Sequence, residues 1–177
     1  MNIRESNNQD LNSIREIHLN AFGQTEGPVV SQLACDILTD ETAYPVLSLI
    51  TEVDNKIVGH IIFSFVKIEP CIEDISAYIL APLGVIKEQQ DKGIGKSLIN
   101  HGLSILREKG AELVFVLGDP SYYSKFGFES AIRLNLKPPH ELEYPEAWMV
   151  LEIKQGALER ASGIVKCATS LNSPEHW

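Results

Sequence analysis

The sequence predicts a mixed α/β domain of the α+β kind, because the hydrophobic period changes twice along the chain. Near the N-terminus, apolar residues recur with the spacing of amphipathic helices. From residue 47 onward, long β-branched and aromatic runs favour strands. A glycine-rich segment at 90–95 then leads back into a helical pattern. A chain of 177 residues with both kinds of element fits one domain with a sizeable core.

Helical spacing dominates the first part of the chain, after a short opening strand. Asp10 is a suitable N-cap for an amphipathic helix over residues 10–22. A polar turn is expected over residues 23–27. Pro28 then suits the first turn of a second helix, whose apolar residues continue to Leu38.

Strands dominate the middle of the chain. Residues 47–53 and 57–68 flank a short polar turn and predict an antiparallel hairpin, and a third strand is expected over Tyr78–Ile86. The remaining predicted elements are a helix that ends at Gly110, a strand at 114–117, a short helix at 120–126 and a last strand at 148–153. We therefore expect a domain over residues 1–153, with a C-terminal extension over 154–177 that packs on it or trails from it.

The charge balance argues against a nucleic-acid partner. The chain has 15 basic and 24 acidic residues, a net charge of -9. Non-specific binding to nucleic acid requires clustered lysine and arginine, whereas an acidic protein suits a cationic partner such as an amine.

Cysteine and histidine usage predicts no metal site. The three cysteines are far apart, and no histidine pair has the spacing of a metal-binding helix. The N-terminus lacks the apolar segment of a signal peptide, and no apolar run is long enough to span a bilayer. We expect a soluble cytoplasmic protein without a membrane partner.

The glycine loop, defined here as residues 90–95 (Gln-Asp-Lys-Gly-Ile-Gly), has the composition of a phosphate-binding turn. Glycines let the backbone approach an anion, and the first N–H groups of the following helix have no partner within it. A P-loop would need glycine at position 90, which is Gln90, and a dinucleotide loop would need glycine at position 98, which is Leu98. A pyrophosphate cradle of the form Gln/Arg-x-x-Gly-x-Gly fits, and a plain strand-to-helix turn is the alternative.

Two motifs in order resemble the GNAT superfamily of N-acetyltransferases. Residues 80–85 followed by 90–98 are similar to the acetyl-CoA motif of that family with its preceding strand. Residues 116–128 are similar to the next motif, which ends in Tyr-x-x-x-Gly-Phe. Within the superfamily, Gly118–Tyr123 and Gly156–Leu158 resemble elements of the YhbS-like subgroup of predicted acetyltransferases. The resemblance extends over roughly residues 3–165.

The resemblance implies a curved, mostly antiparallel mixed sheet with helices on both faces. The sheet would be splayed between its fourth and fifth strands, here Tyr78–Ile86 and Glu112–Leu117. Acetyl-CoA would lie in the splay, with its pantetheine against Leu83, Gly84 and Val85. Its pyrophosphate would contact Gln90, Asp91, Lys92, Gly93, Ile94, Gly95, Lys96 and Ser97.

The implied activity is transfer of an acetyl group from acetyl-CoA to a primary amine by direct attack in a ternary complex. The resemblance makes Tyr123 the general acid beside the sulfur. Glu26, in the predicted polar turn, is the best candidate for the base, because that region borders the acceptor pocket in this family. Further candidates for the base are His60, Asp74, His140 and Glu141. Trp148 and residues 138–140 are candidates to line the acceptor pocket, and a position in the apolar core is the alternative for Trp148.

Two other classes of function stay open at this stage. One is a non-catalytic acyl-CoA sensor with the same fold, and the other is a domain that binds ATP or NAD. The sequence does not identify the amine. A homodimer is a further expectation, since dimers are common among such proteins.

Overall fold

The computed structural model describes residues 1–177, which form nine strands and four α-helices. The strands are β1 Asn2–Glu5, β2 Val46–Val53, β3 Lys56–Glu69, β4 Ala77–Val85, β5 Leu113–Leu117, β6 Glu129–Ser130, β7 Leu136–Lys137, β8 Trp148–Glu152 and β9 Gly163–Lys166. The helices are α1 Leu11–Thr39, α2 Ile94–Glu108, α3 Pro120–Tyr123 and α4 Ala157–Arg160.

The sheet has the strand order β1-β2-β3-β4-β5-β8-β6. Along this path β4 and β5 are parallel, and every other neighbouring pair is antiparallel. Strand β9 pairs with β3 in antiparallel fashion and with β7 in parallel fashion. The predicted fold class, a mostly antiparallel mixed sheet with helices, is therefore confirmed.

Strands β4 and β5 pair over only part of their length. Their register runs from Ala77↔Leu113 to Leu80↔Val116 and then stops. Strand β4 continues alongside β3 as far as Val85, with an irregularity of register near Pro82. Beyond Leu80, the edge of β4 that faces β5 consequently has no strand partner, and the sheet splays open there.

Helices cover both faces of the sheet. Side chains of α1 pack with alternate sheet residues such as Ile62, Ile79 and Phe115 in one apolar cluster. Side chains of α2 pack with the intervening residues, such as Ile61 and Leu80, in a second cluster. Because successive residues of a strand point to opposite faces, the two clusters lie on opposite sides of the sheet.

Helix α1 is interrupted by a kink at Gly23, so the prediction of two consecutive helices holds but the predicted turn over 23–27 is wrong. Only Gly23 leaves the helical conformation (φ 75°, ψ -167°). A positive φ costs glycine little, so this one residue redirects the chain. Pro28 lies inside the helix close to the kink and removes one helical hydrogen bond there.

Residues 154–177 share the apolar core of the sheet. Val165 of β9 and Leu171 are buried in the cluster that contains α1. Arg160 donates to the carboxylates of Glu73 and Glu112. The Ser170 N–H donates to Asp40 at the end of α1 (2.8 Å). Those contacts fix the C-terminal segment against α1 and β5, while a domain boundary at 153/154 stays a prediction.

Candidate active site

The glycine loop connects β4 to α2 and exposes helical N–H groups. Gly93 is the N-cap of α2 and adopts a left-handed conformation (φ 82°). The Ser97 N–H donates to the Gly93 carbonyl (2.9 Å) and forms the first bond of the helix. The N–H groups of residues 94–96 thus have no partner within α2, and they lie at its positive end.

A cleft of about 350 Å³ adjoins this helix end. It is lined by residues of β4, the glycine loop and α2, together with one tyrosine: Leu83, Val85, Gln89, Gln90, Asp91, Gly93, Ile94, Gly95, Lys96 and Tyr122. The Gln90 amide donates to the Val85 carbonyl (2.9 Å), which fixes the loop to the end of β4. A Cβ on Gly95 would lie within 4 Å of Leu83, Val85 and Tyr122, so this glycine keeps the cleft open.

A larger cavity of about 590 Å³ lies in the splay between β4 and β5. Its lining comes from α1, the ends of both strands and the C-terminal segment: Phe22, Thr25, Glu26, Val29, Val30, Leu33, Ile79, Leu80, Ala81, Pro82, Leu83, Leu117, Gly118, Tyr123, Leu171, Glu175, His176 and Trp177. Leu83 lines both spaces, so the cavity and the cleft are neighbours along the free edge of β4.

The adjacent tyrosines Tyr122 and Tyr123 line different spaces, one the cleft and the other the cavity. Their ring centroids are 5.1 Å apart, yet Tyr122 lines the cleft and Tyr123 lines the cavity. Helix α3 positions both side chains directly after β5, and Asp119 caps it by accepting from the Ser121 N–H (2.8 Å). A Cβ on Gly118 would overlap the Tyr123 ring, which explains glycine at that position.

Burial raises the pKa of the Tyr123 phenol well above its usual value, and the neighbouring Tyr122 adds to the effect. The side chain is only 9% exposed. The hydroxyl therefore stays protonated at neutral pH and can act as a hydrogen-bond donor within the cavity.

Comparison with known proteins shows the family to which this chain belongs. The sequence signature of the Acetyltransferase (GNAT) family matches residues 11–128. The chain belongs to the GNAT family. The uncharacterized N-acetyltransferase YjhQ of Escherichia coli (strain K12) is 35% identical over 162 residues, which cover 90% of this chain and 87% of YjhQ.

Solved GNAT structures have the same fold. The crystal structure of YhbS from Escherichia coli in complex with CoA matches with a TM-score of 0.87 and 28% identity, over 98% of this chain and 92% of that one. A GNAT family acetyltransferase from Brucella melitensis in complex with acetyl-CoA matches with a TM-score of 0.71 and 30% identity, over 96% and 97%. The resemblance drawn from the two motifs, including the YhbS-like subgroup, is confirmed.

Most of the residues predicted to contact CoA in this GNAT chain line the cleft, and three do not. Lys92 lies outside the lining and donates to Gln89 (3.2 Å). The backbone N–H of Ser97 is already used in the first hydrogen bond of α2. Gly84 faces α1 and not the cleft, because a Cβ on Gly84 would meet His18 of that helix. Leu83, Val85 and the remaining loop residues face the cleft together.

The candidates for the acceptor side are only partly brought together. Glu26 lines the cavity, from a helical turn of α1 rather than from a loop. Of the two positions considered for Trp148, the structure shows the one in the apolar core, because its ring is fully buried beneath Trp177. His140, in the predicted lining segment 138–140, instead bonds the Asn172 carbonyl (2.7 Å) outside the cavity.

The other candidates for a base also lie elsewhere. His60 is fully buried on β3, and Asp74 lines a separate cavity near Glu112. Glu141 is exposed and absent from the cavity lining. Sequence reasoning missed Glu175, His176 and Trp177 as lining residues. Trp177, a large aromatic residue after a polar segment, was a signal that this segment packs against the domain.

No group of three histidine, cysteine or acidic side chains in the chain is arranged to hold a metal ion. None of its helices combines the length and the apolar character needed to cross a membrane.

Two buried histidines form a hydrogen-bonded chain beneath β4. His18 Nε2 lies 2.8 Å from His60 Nδ1, and His60 Nε2 lies 2.9 Å from Ser48 Oγ. Ser48 Oγ lies 2.6 Å from Ser6 Oγ. Both rings are fully buried, and His18 Nδ1 has no partner. Burial lowers the pKa of His18 to about 4 and that of His60 well below 6.5, while the charge of Asp10 opposes the shift of His60.

The free energy of unfolding should fall as the pH is lowered from about 6.5 toward 4. In this window the unfolded chain takes up protons on His18 and His60, whereas the folded chain does not. The loss should reach up to about 1.4 kcal/mol per pH unit for each histidine. Asp10 titrates below this window, since its hydrogen bond to Arg4 lowers its pKa. Urea unfolding at a series of pH values measures the slope.

The test is a double variant that carries both His18→Gln and His60→Gln. The control is His101→Gln, which changes an exposed histidine. The double variant should flatten the pH dependence, and His101→Gln should leave it as it is. An equal slope in the double variant and the unaltered chain would contradict the assignment.

Proposed function

We propose that the protein is an acetyl-CoA-dependent N-acetyltransferase that acetylates a primary amine within a ternary complex. The observation that supports this best is the free edge of β4 over residues 81–85, which lies between the glycine loop and the large cavity. An extended ligand can pair with such an edge as an added strand. The pantetheine of acetyl-CoA, with its two amides, is a ligand of that kind.

The residues around the cleft fit the diphosphate part of CoA. The unpaired N–H groups of residues 94–96 lie at the positive end of α2, where an anion is stabilised. Lys96 adds a positive charge at the cleft, and Gly95 leaves room for phosphate oxygens. The CoA and acetyl-CoA in the YhbS and Brucella melitensis structures support the same choice of donor.

The proposed transfer is a nucleophilic substitution at the thioester carbonyl. The amine nitrogen forms a bond to the carbonyl carbon, the carbon–sulfur bond breaks, and the electron pair leaves with the sulfur. The amine loses one proton and the thiolate gains one, so the products are an amide and free CoA. The protein must therefore accept a proton near the amine and donate one near the sulfur.

Tyr123 and Glu26 are the side chains proposed for the two proton positions. Tyr123 keeps its proton at neutral pH and lines the cavity beside the end of β5, which suits a donor to the departing sulfur. Glu26 lines the same cavity from α1 and forms no ion pair or hydrogen bond with another side chain, so its carboxylate is free to accept a proton through water.

Lys96 should strengthen CoA binding modestly through its charge. Lys96→Gln should weaken binding by about 1 kcal/mol or less at low salt, and by less at high salt, because exposed charges are screened. Isothermal titration calorimetry at two salt concentrations measures the difference. Lys92→Gln is the matched control, since Lys92 bonds Gln89 outside the cleft, and its effect should be smaller. A salt-independent loss in Lys96→Gln would indicate a structural role.

Two measurements on the intact chain test the proposed function. Calorimetry should detect binding of CoA in preference to ATP or NAD, and a thiol-release assay should detect free CoA when acetyl-CoA and a primary amine are supplied. Binding of CoA without thiol release from any amine would indicate an acyl-CoA sensor. A preference for ATP or NAD would overturn the proposal that acetyl-CoA is the donor. A cytoplasmic location and a homodimer stay predictions.

A further inference from the structure

The buried histidines belong to a chain of four side chains that the proposed chemistry does not use. This histidine chain consists of Ser6, Ser48, His60 and His18, and each neighbouring pair is no more than 2.9 Å apart. His18 is fully buried and does not line the cavity. Burial also lowers its pKa to about 4, so it is unsuited to accept the proton of the amine at neutral pH.

The histidine chain ends against the backbone of Gly84 on β4. A Cβ on Gly84 would lie 2.7 Å from His18 Nδ1 and 3.0 Å from its Cε1, well inside van der Waals contact. Gly84 pairs with His60 across β3 and β4, so both histidines lie at this one position of the strand. Gly84 also lies within residues 81–85, the part of β4 whose other edge is free.

The His18 ring is held in one orientation. Its Nε2 lies 2.8 Å from His60 Nδ1, and Ser48 Oγ fixes the other nitrogen of His60 at 2.9 Å. The ring of Phe22 stacks on His18, with 6.0 Å between centroids and 29° between planes. The ring thus has little room to turn aside, and its size sets how closely α1 approaches β4.

The spacing of α1 and β4 determines the shape of the large cavity. Phe22 and Glu26 line the cavity from α1, and residues 81–83 line it from β4. Phe22 follows His18 by one helical turn on the same face, and it directly precedes the kink at Gly23. The half of α1 that carries Glu26 is therefore placed by the half that packs on β4.

We infer that His18 is a positioning residue for the proposed acetyl transfer, on which this inference rests. Its ring, oriented by His60, holds α1 at the distance from β4 at which an amine in the cavity meets a thioester at the free edge. His18 contacts neither substrate. A misplacement of about 1 Å can slow a reaction roughly 10²-fold, so a spacer of fixed size between the two sides has a measurable effect.

Two variants change the spacing from opposite sides. His18→Ala removes the ring, and Gly84→Ala inserts a methyl group against it. Each should lower kcat, measured by thiol release, roughly 10²-fold. Calorimetry should show a nearly unchanged affinity for CoA, because β4 stays paired with β3 and Gly84 faces away from the cleft. Either variant decides the test if the other does not fold.

His18→Phe separates spacing from stability. It keeps a ring of similar size against Gly84 but leaves His60 Nδ1 without a partner, which lowers the midpoint of thermal unfolding. Its kcat should nevertheless stay far above that of His18→Ala. Val150→Ala is the control for a weakened core, because Val150 is fully buried on β8 in the same apolar cluster as α1. It should lower the midpoint and leave kcat unchanged, when every variant is assayed well below its own midpoint.

NMR spectra of the chain without substrates keep the two proposals apart. Gly84→Ala should shift the backbone amide signals of residues 22–26 of α1, and Val150→Ala should not. Unshifted signals in Gly84→Ala, or shifted signals with an unchanged kcat, would overturn the role of His18. A kcat of His18→Phe as low as that of His18→Ala would overturn it as well. Absence of thiol release from the unaltered chain would overturn acetyl transfer, while shifted signals would still support the spacing of α1 from β4 by His18.

Discussion

Replacing Tyr123 with phenylalanine should lower the turnover number kcat of acetyl transfer roughly 10²-fold, while the affinity for acetyl-CoA stays nearly unchanged. Only the hydroxyl is lost, so the departing thiolate lacks a hydrogen-bond donor. The ring should remain in place, because it packs against Gly118 and edge-on against Phe128 (5.7 Å between centroids). Thiol release at saturating acetyl-CoA and amine measures kcat, and calorimetry measures the affinity.

Tyr122→Phe is the matched control for this prediction. Tyr122 is adjacent in the chain and in contact with Tyr123, but it faces the cleft with Gly95 and not the cavity. Its loss should leave kcat nearly intact. Equal losses in both variants would show that the tyrosines act through packing, and full activity of Tyr123→Phe would remove this hydroxyl from the mechanism.

The raised pKa of Tyr123 also predicts how the rate depends on pH. A free thiol titrates near 8.5 and an unperturbed phenol near 10, so a phenol with a still higher pKa does not protonate the thiolate completely. Stabilisation of the developing charge by a hydrogen bond is then the main contribution. Titration of Tyr123 should accordingly cause no fall in kcat at any pH below about 10.

Local signals in the sequence were sufficient for the elements that carry the proposed donor site. The five main strands after residue 45 were predicted to within one residue at each end, because each forms a continuous apolar or alternating run. The glycine loop was recognised because Gly93 and Gly95 occupy positions that a phosphate-binding turn requires at the start of a helix. That Tyr122 lines the cleft and Tyr123 lines the cavity was not visible, since one residue of helical rotation decides it.

The proposed acceptor side depends on contacts between distant parts of the chain. Trp177 was missed because its position over Trp148 follows from the packing of β9 and Leu171, which have no strong local pattern. The choice between a pocket position and a core position for Trp148 was open for the same reason, since the later tryptophan covers it. The turn predicted over 23–27 was wrong because the polar pattern alone suggested a loop, whereas Gln24 and Glu26 are helix formers at exposed positions.

The second large effect is expected at Gly95, where a valine should weaken binding of CoA roughly 10²-fold without unfolding the chain. Gly95 has an ordinary backbone conformation, so the change introduces no left-handed strain, in contrast to Gly93 at φ 82°. The new side chain would fill the cleft at Leu83, Val85 and Tyr122 and keep an anion away from the N–H groups of α2. Losing one or two charge-assisted hydrogen bonds accounts for a change of this size.

Asn100→Val is the control for the valine itself, because it places the same β-branched residue at an exposed position of α2 outside the cleft lining. Thermal unfolding should give similar midpoints for the two variants, while calorimetry with CoA should separate them. If Gly95→Val folds and binds CoA as the unaltered chain does, the diphosphate does not lie at this helix end. The free edge of β4 would then have to hold the ligand without the glycine loop. Since Gln90 already joins the loop to the Val85 carbonyl, the loop would in that case serve only to terminate β4 and begin α2.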